Sequence, residues 1–230
     1  MKAFNSINDK ELFNVTRTEI DVQNTALKAV KLRFDKGITN LKKQFESVHD
    51  LELEGFNTEA NDILRSQIVL CEELFDFFVQ NCCKCLAFEM YKREGESGYV
   101  YKKSMLALNT KDLKTLSTSN NLEEDFYKII VPKFKFASYM PKGNYDKQFA
   151  VVGVSFNDVL KDSFGSVEQG KTFLHNFYNR RNQIAYLLDR PNFKAPQNPI
   201  DVDYVNFCID HISNLSDSIF SSVAALIGNS

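Results

Sequence analysis

The chain has 230 residues, of which 43% are hydrophobic, which is enough to bury a substantial core. Its net charge of −2 and its pI near 6.0 exclude a protein-wide basic field, so any contact with nucleic acid has to come from a local patch. The first residues form no apolar leader and no run approaches about 18 apolar residues, so we expect a protein of the cytoplasm that makes no membrane contact.

The balance of residue types favours helices over sheets. Twenty Phe residues supply a large aromatic core, whereas nine Gly and five Pro leave little material for the many tight turns of a β-sandwich. We therefore predict one all-α domain over residues 1–230, built as a helical bundle. Because Gly and Pro are frequent between residues 94 and 165, that stretch is interpreted as an irregular insertion.

In chain order, the first elements are a helix predicted over residues 8–34 and a second helical piece over 37–48. The next is a long helix over residues 58–93, capped by Asn57, in which apolar positions recur at steps of four and three. This stripe comprises Leu64, Ile68, Cys71, Phe75, Phe78, Cys82 and Cys85. Since neither Gly nor Pro interrupts it, the stripe predicts one continuous helix of roughly 50 Å.

Within the insertion, the pattern predicts a helix over residues 120–131 that stops at Pro132. A short strand over 148–154 and a short helix over 157–163 follow. None of these segments carries a motif with a chemical role, so the insertion adds no site residue to the prediction.

Two helices are predicted after the insertion. Ser166, three residues before Gln169, forms a capping box that opens a helix ending near Asp189. Asp201 caps the final helix, which runs to Gly228. The apolar stripe of that helix comprises Val205, Cys208, Ile212, Leu215, Ile219, Val223 and Leu226.

The cysteines are predicted to be core residues and not metal ligands. There are five, and Cys82, Cys83 and Cys85 lie close together inside one helix. Their spacing lacks both the two-residue gap and the second pair of ligands that zinc sites use. We therefore expect reduced thiols and no metal or other cofactor.

The helix that Ser166 opens contains an arginine where its buried stripe needs an apolar residue. The stripe comprises Leu174, Phe177, Arg181, Ile184 and Leu188. A buried guanidinium has to meet a carboxylate, reach solvent along its stem, or point into a cleft that binds an anion. The plainest of these is a structural ion pair in which Arg180 and Arg181 meet Asp76 or Glu73 of the long helix.

The residues around this arginine resemble a known signature. Arg180 is followed by Arg181-Asn182-Gln183-Ile184-Ala185-Tyr186, which is similar to the motif of HEPN domains: Arg, usually Asn, a few variable positions often ending in Ala, and then His. Tyr186 departs from that pattern. Residues 63–70 of the long helix, with Asp76 beyond them, resemble the corresponding helix of the RiboL-PSP type of HEPN domain.

The resemblance implies an antiparallel HEPN-like bundle that forms a homodimer and cleaves RNA without a metal, in a toxin or antiphage-defence role. It implies that Arg181 holds phosphate charge, that Asn182 orients the residue at 186, and that position 186 transfers the proton. Arg180 would contact the RNA backbone and Asp76 would support the site from behind. RNA, a second copy of the chain and a cognate inhibitor or defence-system partner are the implied partners.

Tyr186 weakens the prediction that the chain cleaves RNA, because a phenol with an ordinary pKa near 10 is a poor base at neutral pH. The chain is therefore either a naturally degenerate member or a substituted form of an active nuclease. No other histidine replaces the motif histidine by sequence position, because His175 lies six residues before Arg181 and His49 and His211 lie in other elements. Arg181 and Tyr186 are also roughly 140° apart around a helix, which favours a site shared between two copies. The alternative is a noncatalytic dimeric module that binds RNA, a nucleotide or a protein partner.

Overall fold

A computed structural model of the chain describes residues 21–94, 108–134, 149, 153–192 and 194–228. These residues form seven helices and no strand, which confirms the all-α prediction for the described part of the chain. The helices are α1 (Asp21–Leu53), α2 (Asn57–Glu94), α3 (Thr110–Ser117), α4 (Leu122–Phe134), α5 (Phe156–Phe164), α6 (Val167–Leu187) and α7 (Val202–Gly228).

Helix α2 is the centre of the bundle and packs against α1, α4, α6 and α7. Every position of its predicted apolar stripe is buried, with at most 4% of the residue exposed. Burying one such large apolar side chain stabilises a fold by roughly 1.5–3 kcal/mol, so this stripe holds the other helices in place. The stripe also confirms that Cys71, Cys82 and Cys85 are core residues, and all five cysteines are buried free thiols.

Helix α1 is continuous, so the predicted break between residues 34 and 37 is wrong. Gly37 lies inside the helix and faces Leu74 of α2, where an added Cβ would lie 2.6 Å from the Leu74 Cδ2 atom. The glycine therefore permits a close approach of α1 and α2 instead of ending a helix. Residues 8–20, the first part of the predicted first helix, lie outside the described residues.

The described part of the insertion is more helical than the sequence predicts. Helix α3, which was not predicted, opens with a reciprocal cap: Asn109 Oδ1 accepts from the Asp112 amide at 2.9 Å, and Asp112 Oδ2 accepts from the Asn109 amide at 3.0 Å. Helix α4 continues through Pro132, so the predicted stop there is wrong. Proline removes one backbone donor and its ring crowds the carbonyl four residues earlier, but near the end of a helix few later residues are affected.

The remaining insertion predictions have mixed outcomes. Helix α5 matches the predicted helix over 157–163 to within a residue at each end, and Ser155 caps it. The predicted strand over 148–154 falls mostly outside the described residues. Phe149 is described, is helical, and stacks on Phe156 with ring centroids 5.3 Å apart.

Two predicted caps position the last helices. Ser166 Oγ accepts from the Gln169 amide at 3.1 Å to open α6, and Asp201 Oδ1 accepts from the Tyr204 amide at 2.7 Å to open α7. The stripe of α7 is buried up to Val223, and Leu226 is half-buried. These caps set where α6 and α7 begin, and packing of both helices on α2 brings the arginine-containing end of α6 beside the middle of α2.

Candidate functional site

Arg181 crosses from α6 to α2 and contacts two carboxylates there. Its Nε lies 2.9 Å from Glu72 Oε2, and its Nη2 donates to Glu73 Oε1 at 2.8 Å. The side chains of Arg181, Glu72 and Glu73 are 16%, 2% and 61% exposed. The expected ion pair with Glu73 is therefore present, and Glu72 adds a second, buried partner that the sequence analysis did not name.

The Glu72 contact is close in distance without being aligned as a hydrogen bond. Arg181 Nε and Glu72 Oε2 are both buried, and neither has a hydrogen-bond partner among the described residues. Burial lowers the pKa of Arg181, but Glu72, Tyr186 and Glu73 together outweigh it, so the net shift is upward and the guanidinium stays charged. Attraction to the ionised form of Glu72 thus holds Arg181 at this position.

The three motif residues lie together at the end of α6. Arg181 Nη1 donates to Asn182 Oδ1 at 3.3 Å, and the Arg181 guanidinium carbon lies 6.0 Å from the centre of the Tyr186 ring. The long arginine side chain therefore spans the roughly 140° that separates the two positions around the helix. Tyr186 itself is 75% exposed, so the aromatic side of this cluster faces solvent.

Arg180 points to the other side of α6. Its Nη2 donates to Asp189 Oδ2 and to the carbonyl oxygen of Pro199, both at 2.9 Å, and its guanidinium carbon lies 5.8 Å from the Tyr204 ring centre. The side chain is only 15% exposed. Arg180 thus ties the end of α6 to the segment before α7, and the structure does not bring it to the exposed face that Tyr186 occupies.

Asp189 is the residue on which this second set of contacts converges. It is fully buried, and its Oδ2 accepts from Arg65 Nε and from Arg180 Nη2, each at 2.9 Å. Its Oδ1 accepts from Asn198 Nδ2 at 3.2 Å. The sequence pattern indicates only that a helix ends near Asp189, although an acidic residue beside a helix end with arginines nearby is a signal of such an ion pair.

The backbone at this point is held in an uncommon conformation. Leu188 and Asp189 have φ values of 51° and 59°, in the left-handed region that residues with a Cβ rarely adopt. The Asp189 amide donates to the Gln183 carbonyl at 2.8 Å, which closes the helix. Because the chain turns here, Leu188 is 70% exposed, so its predicted place on the buried stripe is wrong.

Two acidic residues of α2, Asp76 and Glu73, act on Glu72. Asp76 is 8% exposed and stands one turn after Glu72 on the same helix. Burial, with repulsion from Asp76 and Glu73, raises the pKa of Glu72 to about 7, although Arg181 acts in the opposite direction. Asp76, predicted to support the site, therefore acts on Glu72, and Glu72 changes its charge close to neutral pH.

The raised pKa of Glu72 predicts that the free energy of unfolding depends on pH. A carboxyl group whose folded-state pKa lies above its ordinary value of 4.5 binds more protons when folded, so the free energy of unfolding falls as pH rises from about 4.5 to about 7. At roughly 1.4 kcal/mol for each pKa unit, the loss is on the order of 3 kcal/mol. Urea unfolding across this range measures it.

Glu72→Gln is the variant that isolates this effect, because glutamine has nearly the same shape and does not titrate. Its free energy of unfolding is expected to change less with pH than that of the unaltered chain. Burial also raises the pKa of Glu89, so a smaller slope of the same sign remains. Equal slopes in the variant and the unaltered chain would contradict the prediction.

The histidines lie elsewhere. His175 is exposed, and its Nε2 lies 3.0 Å from Asn179 Nδ2, one turn along α6. His211 packs among aromatic rings, with its ring centre 4.1 Å from that of Phe207 and 5.0 Å from that of Phe173. His175 therefore pairs with Asn179 and does not take the place of the motif histidine in the structure.

A scan against models of known protein families found no match, and neither did searches of curated proteins and of solved structures. No group of three His, Cys, Asp or Glu side chains placed to hold a metal ion occurs in the described part of the chain. Among the same residues, no helix is both long and apolar enough to cross a membrane.

Proposed function

We propose that the chain is a HEPN-type, metal-independent endoribonuclease, or a protein derived from one, that acts as a homodimer on RNA in a toxin or antiphage-defence role. In this proposal Arg181 holds the phosphate charge, Asn182 orients the site, and position 186 handles the proton. Cleavage without a metal uses attack by the neighbouring 2′-hydroxyl group, so a proton carrier and a cation at the phosphate are the two chemical requirements.

The observation that carries the proposal is the cluster of Arg181, Asn182 and Tyr186 at the end of α6. The arginine contacts both of the other side chains, and the tyrosine is open to solvent. A cation beside an exposed group that can donate a hydrogen bond suits a phosphodiester. The cytoplasm, where RNA is present and buried thiols stay reduced, is the proposed location.

An exposed apolar surface beside the cluster supports the homodimer. Tyr186, Leu187 and Leu188 are 75%, 52% and 70% exposed, and they are consecutive in the chain. Contiguous exposed apolar side chains are typical of contact surfaces between proteins. A second copy packed here would place its own Arg181 near the first, which is how two sets of the motif would meet in one cleft.

A specific observation favours a second candidate, a noncatalytic dimeric module that binds RNA, a nucleotide or a protein partner. Arg181 is already neutralised by Glu72 and Glu73, and Arg180 by Asp189. Tyr186 is also a weak base at neutral pH. Under this proposal the same cluster retains a binding role without cutting, and a cognate inhibitor or defence-system protein is among its possible partners.

Arg181→Ala tests the role of the cluster. Charge-assisted hydrogen bonds contribute about 1.5–3 kcal/mol, so we expect RNA binding to weaken roughly 10-fold or more. Binding is measured with a short single-stranded RNA, and cleavage of total RNA is measured in EDTA. Loss of cleavage with the variant supports the nuclease, whereas loss of binding from a chain that does not cut supports the second candidate.

Lys171→Ala is the matched control, because Lys171 is exposed on the same helix ten residues before Arg181. It removes one positive charge at a distance of about 15 Å along the helix axis. Circular dichroism confirms that both variants fold. If Arg181→Ala and Lys171→Ala bind and cleave RNA alike, Arg181 is only a structural ion-pair partner, and both the nuclease and the RNA-binding form of the second candidate are contradicted.

A further inference from the structure

We infer that Glu72 is a proton-controlled latch that holds Arg181 on helix α2, and that protonation of Glu72 releases the guanidinium to bind the RNA phosphate. The inference rests on the proposed function, because it concerns the availability of Arg181 to RNA. It assigns a regulatory role to a buried side chain that the motif does not contain.

The two carboxylates that hold Arg181 differ in their exposure and in the geometry of their contact. Glu73 is 61% exposed and accepts a hydrogen bond from Nη2, so water can replace it at little cost. Glu72 is 2% exposed and faces Nε at 2.9 Å without hydrogen-bond alignment. A buried contact between charges weakens sharply when one charge is removed, so the proton on Glu72 determines how firmly Arg181 is held.

The groups around Glu72 favour a change of charge there. Asp76 and Glu73, both on α2, repel its negative charge, and Arg181 from α6 is the cation that acts on it. Helix α7 adds the Cys208 thiol, which acts together with Glu72 on the buried Cys71. Burial raises the pKa values of both thiols, so both remain neutral. The charge of Glu72 is therefore determined by Asp76, Glu73 and Arg181.

The latch has a defined effect on binding. If RNA binds only the form with a protonated Glu72, the apparent dissociation constant scales inversely with the fraction of that form. For a pKa of about 7, that fraction falls about ten-fold between about pH 6 and about pH 8. We therefore expect RNA to bind about ten-fold more tightly at the lower pH.

The test combines nuclear magnetic resonance with RNA binding. The Nε–H resonance of Arg181 is followed across the neutral range in the unaltered chain, in Glu72→Gln and in Glu73→Gln. Binding is measured with a fluorescein-labelled single-stranded RNA that carries 2′-O-methyl groups, so that it cannot be cut. We expect the resonance to titrate near pH 7 in the unaltered chain and in Glu73→Gln, and to be constant in Glu72→Gln.

The variants distinguish the latch from a general charge effect. Removing either carboxylate lowers the negative charge near the RNA, but only Glu72→Gln is expected to abolish the pH dependence of binding. All three histidines are retained in every variant, so their contribution cancels in the comparison. The unaltered chain alone gives the resonance titration, which keeps the test decisive if Glu72→Gln folds poorly.

Two results would overturn the latch and they point to different failures. A constant Arg181 resonance, with RNA binding that depends on Arg181 but not on pH, removes the latch and leaves the proposed function standing. RNA binding that is unchanged in Arg181→Ala removes the proposed function, and the latch falls with it even where the resonance titrates.

Discussion

Replacing Asp189 with Asn is expected to destabilise the protein by about 3–5 kcal/mol. The carboxylate is fully buried, and one of its oxygens accepts from both Arg65 and Arg180. Asparagine keeps the size of the side chain but removes the negative charge that both guanidinium groups contact. The two arginines would then repel each other at low exposure, which is costly because water cannot screen them.

Urea unfolding measures this loss as a lower transition midpoint with an unchanged slope. Asp62→Asn is the matched control, because Asp62 also pairs with Arg65, at 3.3 Å, but is 63% exposed. An exposed pair of this kind contributes less than about 1 kcal/mol. If both substitutions lower the midpoint equally, Asp189 is not the centre of the arrangement that holds α6 to the segment before α7.

The helices of the core were predictable because their signals are local and repeated. The α2 stripe from Leu64 to Cys85 recurs at helical spacing over many turns, so a single misread residue could not change the prediction. The caps at Ser166 and Asp201 were equally clear, since a side-chain oxygen three residues before a backbone donor is a local arrangement. In each of these patterns, the positions that define it lie about three or four residues apart in the sequence.

At Gly37 and Leu188 the errors occurred where a distant contact overrides a local rule, whereas at Pro132 the local rule was applied too strictly. Gly37 looks like a helix break in isolation, but the neighbouring Leu74 makes it a point of close packing. Pro132 looks like a stop, yet α4 extends two residues past it. Leu188 fits the stripe by spacing, but the left-handed turn that Asp189 anchors carries it into solvent. Tertiary contacts determine the conformation at Gly37 and at Leu188, and the local sequence does not encode those contacts.

The candidate site was predictable in part for the same reason. An arginine on an apolar stripe is visible in the sequence, and so is the need for a partner such as Glu73. Glu72 was not identified because adjacent residues on a helix usually face different directions, and only the packing of α6 on α2 shows that both reach Arg181. Asp189 was missed because its partners Arg65 and Asn198 lie on other elements.

Tyr186→His is expected to raise the rate of RNA cleavage in EDTA by about 10²- to 10⁴-fold, the usual contribution of a general acid or base. Position 186 is 75% exposed, so the change removes no buried contact. An imidazole has an ordinary pKa of about 6.5, which lets it take and return a proton near neutral pH. The Arg181 guanidinium carbon lies 6.0 Å from the centre of the Tyr186 ring, so the new base would lie beside the cation that we propose to hold the phosphate.

The measurement compares the unaltered chain, Tyr186→His and Tyr186→His with Arg181→Ala at equal concentrations of protein. Tyr186→Phe is the control for the ring, because it keeps the aromatic surface and removes the hydroxyl group. Cleavage by the histidine form alone, lost again on removal of Arg181, identifies the tyrosine as the reason for low activity. Cleavage by the unaltered chain that Tyr186→Phe abolishes assigns proton transfer to the phenol. If none of the forms cuts while all of them form dimers, the cluster is a binding surface and the noncatalytic candidate is favoured.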